Sequence, residues 1–262
     1  MEIKKLSVKE LKKIIEKLDK EKYIEFAEKL NKDSRNTVKE MAQQLYSHYN
    51  KYKIEYSRIE KMKEFEERLY EKGVSLIAGI DEVGRGPLAG PVVTAAVVLP
   101  KDFFVLGIND SKKLTERKRE ELYALITEKA IDIGIGIVDN RAIDEMNILN
   151  ATKLAMKVAV ERLKRKPEHL LIDALVLGEL DIEQTGIVKG DEKSVSIAAA
   201  SIVAKVTRDR MMVNYHKKYP FYNFQSNKGY GTREHYEGLE SNGPCEIHRK
   251  SFLKNLLEEQ SI

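Results

Sequence analysis

The sequence predicts an α/β protein: a five-stranded mixed sheet flanked by helices, with an N-terminal helical appendage and a small C-terminal helical subdomain. Two observations carry this. Five short apolar runs lie between residues 75 and 188, separated by helical patterns, and residues 1–72 contain no glycine, no proline and no strand-like run. The expected division is 1–72 for the helical extension, 73–215 for the sheet-bearing domain and 216–262 for the C-terminal subdomain. At 262 residues the chain holds one large or two modest domains.

In chain order, Ser7 with Glu10 and Thr37 with Glu40 form capping boxes, each opening an amphipathic segment. Val38, Met41, Leu45, Tyr49, Tyr52, Tyr56, Ile59, Met62, Phe65 and Leu69 recur at steps of three or four, a continuous stripe on one helix face that needs a partner surface. Gly73 ends that helix. Strands are expected at Ser75–Ile80, Val92–Leu99, Ile131–Val138, Leu170–Ile172 and Gln184–Val188. The strict alternation of Ile131 to Ile137 marks a strand with one exposed face. Helices are expected at Thr115–Lys129, Asn150–Arg165 and Val195 to about Lys217, and after Pro220 at Arg233–Leu239 and Phe252–Glu258. No internal repeat is visible.

Composition excludes several classes. No apolar run approaches the roughly 18 residues of a membrane span, and Met1 opens no secretory signal pattern, so a cytoplasmic location is expected. Cys245 is the only cysteine, which excludes an internal disulfide and multi-cysteine zinc sites. The whole net charge of +4 falls in residues 1–70. Basic clusters at Lys112–Lys113 with Arg117–Arg119, Arg162–Lys166, Lys205–Arg210 and Lys217–Lys218 read singly as solvated helix faces.

The chemistry sits at strand ends. Asp81 and Glu82 are adjacent carboxylates where an apolar strand stops, before the loop Gly84-Arg85-Gly86; alternation sends them opposite ways, to hold different ions or one ion from two sides. Asp173 ends a second buried strand, and Asp191 follows Lys189-Gly190 at a third exit. One such aspartate is an ordinary turn residue; three are harder to dismiss. If the first and fourth strands are neighbours, Asp81 and Asp173 approach one another, and their repulsion makes sense chiefly if a cation offsets it. Oxygen-only ligands select Mg²⁺ or Mn²⁺, and carboxylate clusters suit phosphodiester chemistry by two ions about 3.5 to 4 Å apart. His169, His216, His235 and His248 are scattered and read as structural or as phosphate contacts. Glycines 84 and 86 let a backbone approach a sugar and its 2'-hydroxyl. Lys112 and Lys113 precede a helix with Thr115 as N-cap, a phosphate-binding arrangement. Tyr230, between Gly229 and Gly231, is placed to stack on a base or sugar or to fill a loop core.

Together, Gly79 to Val93, Asp110 to Leu114, Leu171 to Asp173, Lys189 to Asp191, Ser196 to Val206 and Lys228 to Thr232 closely resemble bacterial ribonuclease HII, over about residues 73–252. The resemblance implies a ribonuclease H-like fold and an endonuclease that hydrolyses the RNA strand of RNA/DNA hybrids. It also implies cutting 5' to ribonucleotides embedded in duplex DNA, leaving a 3'-hydroxyl and a 5'-phosphate. By motif, Asp81, Glu82, Asp173 and Asp191 are the catalytic, metal-binding carboxylates, with two Mg²⁺ or Mn²⁺ ions when substrate is bound. Asp191 is preferred to its neighbour Glu192 from its place in the lysine-glycine-aspartate motif. Gly84, Arg85 and Gly86 would read the junction between ribonucleotide and deoxyribonucleotide, and Tyr230 would pack against the sugar beside it. Lys112, Lys113, Lys189, Ser194 and Lys205 would hold phosphates or support the site.

A ribonuclease HIII-like enzyme for longer RNA tracts usually lacks the Gly-Arg-Gly triplet and carries a strand-containing N-terminal platform; here the triplet is present and the appendage reads as helical. A hybrid-binding module that does not cut is disfavoured by the four intact carboxylates. The expected partners are RNA/DNA hybrid and ribonucleotide-containing duplex DNA, with no membrane, and the expected state is a monomer. The tail Glu258–Ile262 has no aromatic anchor after Gln260 from which to argue for a sliding-clamp partner.

Overall fold

The computed structural model describes residues 3–178 and 180–253. The chain forms two compact units, Met1–Lys61 and Met62–Ile262.

The first unit is helical, with α1 (Val8–Glu16), α2 (Tyr23–Asn31) and α3 (Asn36–Met62). Ser7 caps α1 as its spacing implies: its Oγ accepts from the Glu10 amide at 3.3 Å, and Glu10 Oε2 accepts the Ser7 amide at 2.8 Å. The second expected box is not a cap, because α3 begins at Asn36 and leaves Thr37 inside the helix. Leu11, Phe26, Ala27, Leu30, Val38, Met41 and Leu45 form the unit's core. The long stripe is not one helix face. It is interrupted at Lys63, where α3 gives way to α4 (Glu64–Glu71), and no glycine or proline signals the break. Val38, Met41 and Leu45 are buried in the first unit, whereas Phe65 and Leu69 pack with Ile77, Leu171, Ile187 and Ile197 in the second.

The second unit holds β1 (Ile77–Val83), β2 (Val92–Val98), β3 (Asp132–Val138), β4 (His169–Asp173) and β5 (Glu183–Ile187) in the order β3-β2-β1-β4-β5. The β3-β2-β1 pairs are antiparallel and β1-β4-β5 parallel, the mixed sheet expected from the apolar runs. The first strand runs three residues past the expected Ile80, so Asp81 and Glu82 lie within it.

The helices cover both faces. Ala78 and Ile80 of β1 pack with Met156, Ala159 and Val160 of α6 (Asn140–Glu161). Gly79, of opposite parity, faces α7 (Val195–Lys218), where an added Cβ would lie 2.1 Å from the Ser196 carbonyl carbon. Only glycine permits an approach that close. The start of α6 precedes the expected Asn150 because two helices meet at Asn147, whose φ is 68° and whose Oδ1 accepts from the Leu149 and Asn150 amides. It therefore acts as an internal N-cap, and the sequence periodicity tracks only the second segment.

Between β2 and β3 lies α5 (Glu116–Lys129), capped by Thr115 as expected. The C-terminal part contains α8 (Phe224–Asn227) and α9 (Arg233–Asn242) around Tyr222, Phe224 and Leu239. Of the last expected helix, Phe252 closes a short 3-10 turn and Leu253 follows it, buried; residues 254–258, like the tail Glu258–Ile262, lie outside the described residues. No described helix is long and apolar enough to cross a membrane.

Candidate active site

Register and parity bring the carboxylates together. Ile80 pairs with Ile172 across the parallel β1-β4 ladder, so Asp81 and Asp173 emerge side by side where the two strands run toward their C-terminal ends. By alternation Asp81 shares the α7 face with Gly79, and Asp173 shares it with Leu171, while Glu82 turns the other way. Asp191 arrives from the 3-10 turn Gly190–Glu192 that links β5 to α7. The Gly190 amide donates to Asp173 Oδ1 at 2.7 Å, fastening that turn to β4. Two residues beside the carboxylates, Ala174 and Lys189, hold φ at 53° and 58°, a left-handed conformation that costs a non-glycine residue about 1–3 kcal/mol.

The electrostatics follow from this crowding. Burial, then Glu82 and Asp173, drives the Asp81 carboxyl well above the ordinary range, against a hydrogen bond from Ser201. Burial raises Glu82 as well, with Asp173 adding to it and Arg85 opposing it. Asp191 is pushed up to about 6 by burial, Asp110 and Asp173, with Lys112 opposing. Burial alone would depress Lys112, but Asp110, Asp81, Asp191 and Glu82 outweigh it and hold its ammonium above the usual value. Lys112 thus faces the carboxylates as well as the surface.

These residues fit a hard divalent cation. Four carboxylates share one electrostatic site, and Glu82 Oε2 is buried with no hydrogen-bond partner, a cost of about 1–3 kcal/mol or more that a cation would offset. Among the described residues no three acidic, histidine or cysteine side chains form a closed ligand cage; mutually repelling carboxylates do not close on one another unaided. An all-oxygen donor set matches Mg²⁺ or Mn²⁺.

The loop after β1 lies beside the acids. Arg85 Nη1 reaches Glu82 Oε1 at 3.4 Å. Gly84 has φ +90°, and a Cβ there would strike Arg208 Nε at 2.2 Å. Gly86 is open on its Cβ side except for Tyr230, whose Cε1 would be 3.8 Å away, so the structure brings the glycine loop and the half-exposed tyrosine together. Around them, Lys113 pairs with Glu192 at 2.9 Å, which occupies the carboxylate next to Asp191, and Lys205 is half-buried against Asp209 at 2.7 Å. Lys189 is exposed. Ser194 is fully buried: it caps α7 through the Ile197 amide and donates to Glu66 Oε1 at 2.6 Å, so it braces the site from within.

Three features escaped the sequence reading. Asp110 is a fifth acid beside the cluster; in the sequence it merely heads a lysine motif, and its Oδ1 accepts from the Lys112 amide at 2.9 Å. Glu66, on α4, is buried and accepts from both Ser194 Oγ and the Ser196 amide, at 2.6 and 3.0 Å, bracing the end of α7 next to Asp191. The histidines are not all scattered, because His235 and His248 meet at 2.9 Å between Nε2 atoms, both buried. His235 Nδ1 lies 2.9 Å from the Tyr230 carbonyl and the Cys245 amide donates to His248 Nδ1 at 2.8 Å. The pair holds the Tyr230 loop; thirteen residues of separation conceal it in the sequence.

A family model described as Ribonuclease HII matches residues 78–255, and one described as Ribonuclease HII N-terminal domain matches residues 7–70. The chain is 55% identical over 251 residues to a protein named Ribonuclease HII from Clostridioides difficile, covering 96% of this chain and 98% of that one. It is 49% identical over 259 residues to a protein of the same name from Bacillus anthracis, covering 98% of this chain and 100% of that one. Among solved structures it resembles the ribonuclease H2 of Pyrococcus horikoshii with a TM-score of 0.58 and 28% identity, over 70% of this chain and 98% of that one.

Proposed function

The chain belongs to the ribonuclease HII family, and on that premise we propose that it cuts duplex DNA on the 5' side of an embedded ribonucleotide, as well as the RNA strand of RNA/DNA hybrids. Ribonuclease H activity of the endonucleolytic kind belongs to the family; the junction-directed cut and its mechanism are our reading. The observation that carries it is the union, where β1 and β4 end, of four neighbouring carboxylates with a surface loop, Gly84-Arg85-Gly86, beside Tyr230.

In this reading Asp81, Glu82, Asp173 and Asp191 hold two Mg²⁺ or Mn²⁺ ions. When bound, such ions supply an activated water and stabilise the departing 3'-oxygen, leaving a 3'-hydroxyl and a 5'-phosphate. The residues of the chain do the rest. Glycine at 84 and 86 admits the sugar close to the backbone, whose amides reach the 2'-hydroxyl that distinguishes RNA from DNA. Tyr230 stacks beside the following deoxyribose, which rewards a DNA sugar there. Lys112, Lys113, Lys189 and Lys205 set the phosphates in register, with the first also balancing the acids between turnovers. The enzyme acts as a cytoplasmic monomer on these duplexes.

The test is cleavage of three end-labelled duplexes with Mg²⁺ or Mn²⁺: one carrying a single ribonucleotide, one all DNA and one with a continuous RNA strand. Incision 5' to the lone ribonucleotide, with the all-DNA duplex intact, is expected. Cutting confined to the continuous RNA strand would contradict the junction reading.

A further inference from the structure

Arg208 and Arg249 are among the largest fully buried side chains of the protein, each with no exposure. Burying a guanidinium is costly unless its donors are satisfied, and among the described residues neither forms an ion pair with a carboxylate. Both are satisfied by backbone carbonyls instead. Arg208, on α7, donates from Nε to Pro91 O at 2.9 Å, from Nη1 to Lys228 O at 2.8 Å and from Nη2 to Ala89 O at 3.1 Å. Arg249 donates from Nε to Gly90 O at 3.0 Å, from Nη1 to Arg85 O at 2.9 Å and from Nη2 to Gly84 O at 2.5 Å. Burial pulls their pKa values down, to about 10 and about 9, so both stay charged at neutral pH.

The acceptors are not spread over the protein. Five belong to residues 84–91 and the sixth adjoins Gly229-Tyr230. Main-chain bonds close the same unit: Leu88 N to Gly229 O at 2.8 Å, Gly90 N to Ile247 O at 2.9 Å and Arg249 N to Leu88 O at 2.8 Å. A trans peptide is planar, with N–H opposite C=O. Drawing the Gly84 and Arg85 carbonyls inward to Arg249 therefore turns the Arg85 and Gly86 amides outward, at two exposed residues. Neither amide hydrogen-bonds within the described residues. The fork geometry of a guanidinium fixes two such peptide planes at once, which a lysine ammonium does not.

We propose that Arg208 and Arg249 are positioning residues for ribonucleotide recognition: from beneath, they preset the loop at residues 84–91 and the Tyr230 turn so that two backbone donors and one aromatic ring face the junction. The proposal rests on the reading above that this loop and Tyr230 contact the ribonucleotide. It makes discrimination between a lone ribonucleotide and a continuous RNA strand depend on two side chains that touch no substrate, since a continuous strand offers many 2'-hydroxyls and tolerates a misaimed loop better.

The experiment compares Arg249→Lys and Arg208→Lys with wild type in single-turnover cleavage of both duplexes, alongside thermal midpoints and the Mg²⁺ concentration for half-maximal rate. Expected are folded variants with an unchanged Mg²⁺ midpoint that lose roughly tenfold to a hundredfold on the lone ribonucleotide, as loss of one or two charge-assisted hydrogen bonds implies, and clearly less on the continuous strand. Equal losses on both substrates would make the arginines merely structural and overturn the proposal. Gly86→Ala separates the two layers, because its Cβ meets only Tyr230 at an ordinary 3.8 Å and the fold accommodates it. If that variant shifts the ratio of the two substrates and the arginine variants do not, the proposal alone fails; if none shifts it, the loop reading fails and the proposal with it. Should the lysine variants not fold, amide exchange in the wild type decides: Leu88 and Gly90 are expected to be as protected as sheet amides, and exchange at the rate of an open loop would refute a preset loop.

Discussion

Gly79→Ala tests whether the seating of α7 on β1 positions the carboxylates. A Cβ at residue 79 would lie 2.1 Å from the Ser196 carbonyl carbon, 2.3 Å from its oxygen and 2.5 Å from the Ile197 nitrogen. Carbon contacts settle at about 3.5 Å, so strand and helix must part by about 1.4 Å, and all three atoms are main chain that no rotamer change can clear. Overpacking of this kind costs about 1–3 kcal/mol, roughly 2–12 °C in thermal midpoint for a chain of this size. Asp81 lies two residues along β1 and Asp191 just before α7, so the same displacement separates them, and a misplacement of about 1 Å costs about a hundredfold in rate. The control is Gly134→Ala, whose Cβ would strike Ala159 O at 1.9 Å where β3 meets α6, with no site carboxylate on either element. Thermal melts and single-turnover cleavage of both proteins are the assay. Both variants are expected to lose comparable stability, and only Gly79→Ala to lose about a hundredfold in rate. Equal rates for the two at a temperature where both are folded would show that the seating of α7 on β1 does not position the carboxylates.

Glu66 accepts two hydrogen bonds through Oε1 while Oε2 has no partner, so Glu66→Gln keeps the one oxygen that accepts both bonds and removes a buried charge, whereas Glu66→Ala strands a buried hydroxyl and a buried amide at about 1–3 kcal/mol each. Burial raises the Glu66 carboxyl; a raised folded-state value favours the fold at low pH and is lost as pH climbs through it. The melting advantage of Glu66→Gln over wild type should therefore grow from pH 5 to pH 8, and a constant gap would count against the assignment. Metal binding should follow the same sign. Asp81 and Glu82 are raised and Asp191 stands at about 6, so protons compete with the cation, and stabilisation of the protein by Mg²⁺ in thermal melts should increase from pH 5.5 to pH 7.5. A Mg²⁺ effect independent of pH over that interval would show that these carboxyls do not hold the ion.

How much was legible depends on the range of the interaction. The strands were visible because Val92–Val98 and His169–Asp173 are apolar and bounded by turns, and Asp81 and Asp173 could be paired because a parallel β1-β4 neighbourhood fixes their register. Boundaries failed where no residue type announces them. Lys63 divides α3 from α4 without glycine or proline, and Asn147 starts a new helix turn by its own side chain. The supporting residues were the least legible. Nothing local marks Arg208 or Arg249 as buried, since their acceptors are carbonyls of residues as many as 165 positions away. Glu66 looks like any acid on an amphipathic helix until Ser194, 128 residues on, is placed against it. Sequence motifs thus mark the clustered carboxylates and the glycine loop, while the buried groups that hold them are set by tertiary contacts.

Asp81, Glu82, Asp173 and Asp191 are proposed to act as one metal-binding set for cutting at an embedded ribonucleotide. This is tested most directly by single-turnover cleavage of a duplex with one ribonucleotide by Asp81→Asn, Glu82→Gln, Asp173→Asn and Asp191→Asn, with substrate binding measured in parallel. Each variant is expected still to bind the duplex and to lose at least about a thousandfold in rate, because removing one member of a unit costs nearly as much as removing several. A variant that cuts within tenfold of wild type would take its carboxylate out of the set, and two such variants would show that the four do not act as one metal-binding unit.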